Sequence, residues 1–326
     1  MLGTVKGWGA VGLFLVACGS EAQPSADAGV VDAGASLPTT TAALSPGRFD
    51  CTAVGPFVAP PRPHPYSCVS DPNCQARLIA GHRFAVPFAP ENSLSALRAA
   101  ILLGVDIAET DARLTKDGRV VLLHDAEIDR TVEGTGRVAE LTLAELQALR
   151  LRLRPEQPGD FSCERVPTLE EALAVSVGQI VLELEVKADT AGLAVARYLR
   201  DHQLYNDAYL LCDVAECLQL RAEVPDVPIM TRPRTPAAVA GALRFDPPPI
   251  LVHIDPTEAF LDEAILAPAR AQGIKIFANG FILGDALALS GDGSGYRSVF
   301  DKGVDVQQVQ SVHWALFALG RLPEVR

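Results

Sequence analysis

A chain of 326 residues with 48% hydrophobic content can bury a substantial core, as one large domain or two small ones. Its formal charge of −12, with no basic patch, argues against nucleic acid as a partner. An anionic substrate would need a bound cation or a few well-placed Arg and Lys side chains.

At the N-terminus Lys6 precedes a short apolar run, Trp8 to Ala17, too short to span a bilayer as a mature helix. The run ends in Leu15-Val16-Ala17-Cys18-Gly19, which looks like a bacterial lipobox. Residues 1–17 are then a signal peptide, Cys18 is the lipidation site, and the body is an exported lipoprotein held at a membrane, facing the periplasm or the cell surface. An ordinary secretory signal would also export it. Residues 18–47 are rich in Ala, Ser, Thr, Gly, Asp and Pro and have almost no large apolar side chains, so they read as a disordered tether. Residues 48–76 are proline-rich with three cysteines and read as an extended strap. The six cysteines after Cys18 (Cys51, Cys68, Cys74, Cys163, Cys212 and Cys217) are even in number, which in an exported chain points to disulfides. Cys212 and Cys217 are the expected local pair.

The folded domain is expected over residues 77–326. Short apolar runs at Leu78–His82, Val105–Thr110, Ile180–Lys187, Ala208–Asp213, Pro228–Arg232, Ile250–Asp255, Lys275–Asn279 and Val304–Val309 read as strands. Stretches of helical period lie between most of them, including Ser93–Leu103, Leu141–Leu149, Leu169–Val177, Ala191–Leu204 and Phe260–Gln272. Eight strand–helix units predict an α/β fold, a (β/α)8 TIM-type barrel. An open doubly wound sheet is the alternative, but no Gly-x-Gly-x-x-Gly turn follows the first strand. The second strand carries an extension: Val105–Leu114 and Val120–Asp125 flank the polar turn Thr115-Lys116-Asp117-Gly118, a hairpin signal. Folding back at Lys116-Asp117 sets His124 across from Glu109, with Asp111 further along the same face. Buried carboxylates so close repel unless a cation lies between them. Strand alternation also puts Glu183, Glu185 and Lys187 on one face, and a barrel collects such groups at its C-terminal strand ends, as it does His82 and Arg83.

Seven motifs occur in order: Gly81-His82-Arg83, Pro90-Glu91-Asn92-Ser93, Glu109-Thr110-Asp111, Thr115-Lys116-Asp117-Gly118, His124-Asp125, Pro167-Thr168-Leu169-Glu170-Glu171 and Glu185-Val186-Lys187. Together they resemble the glycerophosphodiester phosphodiesterase family over residues 77–187. The resemblance implies that Glu109, Asp111 and Glu185 hold one divalent cation, Ca2+ or Mg2+, and all-oxygen ligands independently favour a hard ion. It implies His82 and His124 as general base and acid, and Arg83 and Lys187 as the grip on the phosphate of a small phosphodiester. A monomer is expected. The chain departs from the family at Phe84, where Gly is usual, and at Glu183, often Asn, which adds a carboxylate near the metal. Further departures are Phe277 in place of a common Trp and Val309-Gln310-Ser311-Val312 in place of Thr-Asp-Xaa-Pro. Two other readings follow. The first is a phospholipase acting on intact lipids, with Phe84 to Phe88 as an apolar rim; the second is a silent barrel that binds a phosphorylated ligand. His253 and Asn279 could line the mouth, Asn92-Ser93 reads as a helix cap, and His64, His202 and His313 are read as structural.

Overall fold

The computed structural model describes residues 44–187, 191–254 and 262–322. Eight parallel strands close a barrel: β1 (Leu78–Gly81), β2 (Ile107–Leu114), β4 (Val181–Val186), β5 (Ala208–Cys212), β6 (Ile229–Thr231), β7 (Leu251–His253), β8 (Lys275–Asn279) and β9 (Val306–Val309). Closure comes from β1, which pairs in parallel with both β9 and β2. The remaining strand, β3 (Val120–Leu122), runs antiparallel to β2 and is the hairpin extension. The strand–helix alternation was legible because each strand is a short, doubly buried apolar run.

The strands are buried on both faces. Ile107, Val181, Tyr209, Leu211, Met230, Leu251, Phe277 and Val306 pack inside the barrel with Leu78 and Ala80. A larger core lies between barrel and helices, including Leu97, Ile101, Leu182, Leu184, Leu199 and Leu210. The crossover from β2 to β4 builds a small core of its own from Val121, Leu123, Ile128, Val132, Val138, Leu146, Leu151 and Val166.

Three expectations about local structure change. Leu44, inside the segment expected to be a tether, is buried, and Phe49 of the strap is fully buried against Phe88 and Phe161. The strap is tied down because the disulfide Cys51–Cys163 joins it to the β2–β4 crossover, and Cys68–Cys74 closes a short loop within it. Cys212–Cys217 forms as expected. The second change is the hairpin register: Ala112 pairs with Leu122 and Leu114 with Val120, one residue from the expected alignment. The cause is the turn, which holds three residues rather than two: Thr115 N donates to Arg119 O across Lys116-Asp117-Gly118, and Gly118 adopts φ 75°, which glycine takes without a Cβ clash. His124 therefore does not lie across from Glu109. Third, the Phe84–Phe88 stretch is not a rim. Phe84, Ala85 and Phe88 are fully buried and belong to the core between barrel and helices. Phe84 sits at φ 75°, which accounts for the usual glycine there and makes the phenylalanine a strained substitute.

Candidate active site

The C-terminal ends of β1, β2 and β4 converge on one group of carboxylates. Parallel register sets Asp111 beside Glu185 and, one layer deeper, Glu109 beside Glu183. Period-two alternation points all four side chains into the barrel. Oxygens of Glu109, Asp111 and Glu185 lie within 4.8 Å of one another, the one such group of three among the described residues. Glu183 is drawn away from it by the Tyr209 hydroxyl, which donates to Oε2 at 2.9 Å.

Burial and mutual repulsion dominate the electrostatics of the cluster. Burial, then the charges of Asp111, Glu183 and Glu185, pushes the Glu109 carboxyl well above its ordinary range. Burial also pushes Glu183 up, to about 8. Asp111 is the exception: burial raises it, but the Lys187 ammonium, with His124 and Arg83, outweighs that and holds it at about 2. Lys187 Nζ lies 2.8 Å from Asp111 Oδ1 and 3.0 Å from Glu185 Oε1. Crowded carboxylates with only oxygen donors fit a hard divalent ion, which would offset the repulsion that otherwise favours a proton on Glu109.

Two histidines flank the carboxylates and differ in environment. His82, at the end of β1, is half-buried, and its ring packs on Phe281 with centroids 5.0 Å apart. Burial, then the neighbouring Arg83 charge, pushes its imidazole down to about 3, so it is neutral at ordinary pH. His124 reaches the site by a different route from the one its strand pairing suggested. Continuing the ladder would set it beside Thr110, on the opposite face from Asp111. The chain instead bends after Leu123, whose N–H donates to Asp111 O at 2.9 Å. Arg113 donates from Nε and Nη2 to the His124 carbonyl at 3.0 and 2.6 Å, fixing the bend. His124 Nδ1 then meets Asp125 Oδ1 at 2.7 Å. That hydrogen bond, with Arg130, holds the Asp125 carboxyl far below its ordinary value against partial burial.

Arg83 bonds through its backbone N–H to Glu109 Oε2 at 2.7 Å and through Nη1 to Glu91 Oε1 at 2.9 Å. Its Nε lies 4.0 Å from Asp111 Oδ2. All seven side chains expected at the site are thus at one end of the barrel. Several more were not anticipated. Asn92 is not the helix cap; Ser93 is, accepting from Ala96 N at 3.1 Å. Asn92, at φ 56°, donates to Asp111 Oδ2 at 3.2 Å and accepts from Thr110 Oγ1 at 2.9 Å. Glu91 is buried and surrounded by Arg83, Arg130 and Arg154. The sequence hinted at it only through residue type, since asparagine tolerates the positive φ that Asn92 adopts. His253, at the end of β7, is buried against Phe277 and lies in the barrel core. At the altered end of β9, Asp285 accepts from Gln310 N and Ser311 N at 2.8 and 2.9 Å, so a carboxylate reaches that backbone from the preceding excursion.

Fold and site together define a (β/α)8 barrel that gathers its polar groups at the C-terminal strand ends, where such barrels carry function. A family model for the glycerophosphoryl diester phosphodiesterase family matches residues 82–215, the span that supplies the three grouped carboxylates, His82, His124, Arg83 and Lys187. Over those residues the chain carries that family's domain. It is 35% identical over 141 residues to glycerophosphodiester phosphodiesterase 1 of Homo sapiens, covering 42% of this chain and 43% of the human protein's own length. The curated relative is therefore matched over less than half its length. Among solved structures, a glycerophosphoryl diester phosphodiesterase of Parabacteroides distasonis superposes with a TM-score of 0.65 at 26% identity, over 80% of this chain and 92% of that one. A glycerophosphodiester phosphodiesterase of Agrobacterium tumefaciens gives 0.59 at 27% identity, over 74% and 99%.

Proposed function

We propose that this protein hydrolyses glycerophosphodiesters to an alcohol and glycerol phosphate, with one divalent cation, Ca2+ or Mg2+, held by Glu109, Asp111 and Glu185. The observation that carries the reading is the grouping of those three carboxylates within 4.8 Å, in a mouth that also holds His82 and the Asp125-bound His124. The cation would supply Lewis-acid stabilisation of charge developing on the phosphoryl oxygens.

His82 is the general base. Its Nδ1 is buried without a hydrogen-bond partner among the described residues, and the imidazole can accept a proton from the attacking hydroxyl (the substrate's own or water's). His124 is the general acid. Asp125 holds Nδ1 and so leaves Nε2 to donate to the departing alcohol. Arg83 presents a planar fork, and Lys187 a point charge, to the phosphate oxygens.

Export belongs to the same reading. Three disulfides suit an oxidising compartment. The lipid anchor at Cys18 falls outside the described residues. The phospholipase reading loses its support here, because the side chains that were to form its rim are buried.

The test is chelation. Purified protein should release glycerol phosphate from glycerophosphocholine, lose that activity in EDTA, and recover it with excess Ca2+ or Mg2+. Turnover unchanged by exhaustive chelation would overturn the metal part of the reading, and no turnover at all would overturn the hydrolase.

A further inference from the structure

Arg130 lies outside the groups assigned above, yet it touches both halves of the site. Its Nε donates to Asp125 Oδ2 at 2.6 Å, and its two terminal nitrogens fork onto Glu91, Nη1 to Oε2 at 2.8 Å and Nη2 to Oε1 at 2.7 Å. The far oxygen of Asp125 holds His124, and Glu91 Oε1 also accepts from Arg83. One guanidinium thus links the carboxylate that orients the proposed acid to the carboxylate that orients the proposed phosphate fork. Of the two, Glu91 is buried, so its pairing is not a solvated surface contact. The backbone carrying Arg130 is also fixed: Ile128 and Val132 on either side are fully buried in the small crossover core, and Val132 N donates to Ile128 O at 2.9 Å.

We propose that Arg130 is a positioning residue, a yoke that sets His124 and Arg83 in register with each other across the substrate phosphate. The small core of residues 121–166 then has a use beyond filling the crossover, because it carries the yoke. Geometry supports the role over a generic ion pair: all three guanidinium nitrogens are engaged, in two directions, on carboxylates that each hold a different site residue. Lysine has the charge but no fork, and it cannot span both partners.

The inference rests on the hydrolase reading, so the test separates the two. The full chain and its Arg130→Ala variant are assayed on two glycerophosphodiesters differing only in the leaving group, choline or p-nitrophenol. Departing choline needs a proton from the acid, whereas p-nitrophenolate does not. Arg130→Ala is expected to lower kcat by about 10²-fold on the choline ester and by much less on the nitrophenyl ester. KM should rise on both, through Arg83. Added guanidinium ion should restore part of the lost kcat, and methylammonium should not. Arg130→Lys, which retains the charge if the alanine variant fails to fold, should keep the same leaving-group bias. Equal losses on both esters, with no guanidinium rescue, would overturn the yoke while leaving the hydrolase intact. A wild-type chain that cleaves neither ester would overturn both.

Discussion

Lys187 reaches from the end of β4 to Asp111 on β2, Nζ to Oδ1 at 2.8 Å, while also touching Glu185 at 3.0 Å. The ammonium therefore shares two of the three proposed cation ligands and competes with the ion for their charge. Replacing it by an apolar chain of similar length, Lys187→Met, should tighten Ca2+ or Mg2+ binding by about tenfold, about 1.4 kcal/mol. The same change should raise KM for the diester, because a phosphate contact is lost. Isothermal titration with the ion and steady-state kinetics read the two effects separately.

Phe84 sets two effects against each other. Its φ of 75° is costly for a side chain, by about 1–3 kcal/mol, and glycine would relieve that. Its ring is fully buried, and removing it would cost about 3–5 kcal/mol. The second is larger, so Phe84→Gly should destabilise the fold by about 2 kcal/mol despite restoring the residue common in relatives. Denaturant unfolding checks the sign.

Cys51–Cys163 closes a loop across a separation of 112 residues and holds the strap whose Phe49 is buried. Opening it with the paired changes Cys51→Ser and Cys163→Ser should lower stability by about 4 kcal/mol, mainly by freeing the unfolded chain. Thermal unfolding with and without the bridge measures it.

His313 packs edge-on to Phe88 with centroids 5.4 Å apart, and burial pushes its imidazole from 6.5 down to about 4. A histidine depressed in the fold takes up its proton first in the unfolded chain. Stability should therefore be unaffected above the unfolded value and fall as pH drops from 6.5 towards 4. At pH 5 the loss from this group is about 2 kcal/mol. His313→Phe should flatten the slope of unfolding free energy over that window; an unchanged slope would contradict the assignment.

The barrel was legible because eight doubly buried strands leave eight short apolar runs, and the carboxylate cluster because alternation places Glu109, Asp111, Glu183 and Glu185 on one face. The approach of His124 was not. One extra turn residue, with Gly118 at positive φ, shifts the register, and the bend pinned by Arg113 then returns the ring to the site. The pairing of Glu91 with Arg130 escaped notice because it spans 39 residues with no periodic signal between them. Leu44 lay hidden in a stretch whose composition resembles a linker, yet it is buried in the larger hydrophobic core. Phe84 to Phe88 looked like a lipid-facing rim because hydrophobicity alone does not say which way a loop turns.

The most direct test of the central claim follows glycerophosphocholine by phosphorus NMR with the wild-type chain, His82→Ala and His124→Ala, each loaded with Ca2+ or Mg2+. The account predicts glycerol phosphate as the product with the wild type and a loss of about 10²- to 10⁴-fold in kcat for each variant, with cation binding retained. Full activity in both alanine variants, or a wild-type chain that binds the ion and the diester without cleaving it, would contradict the account.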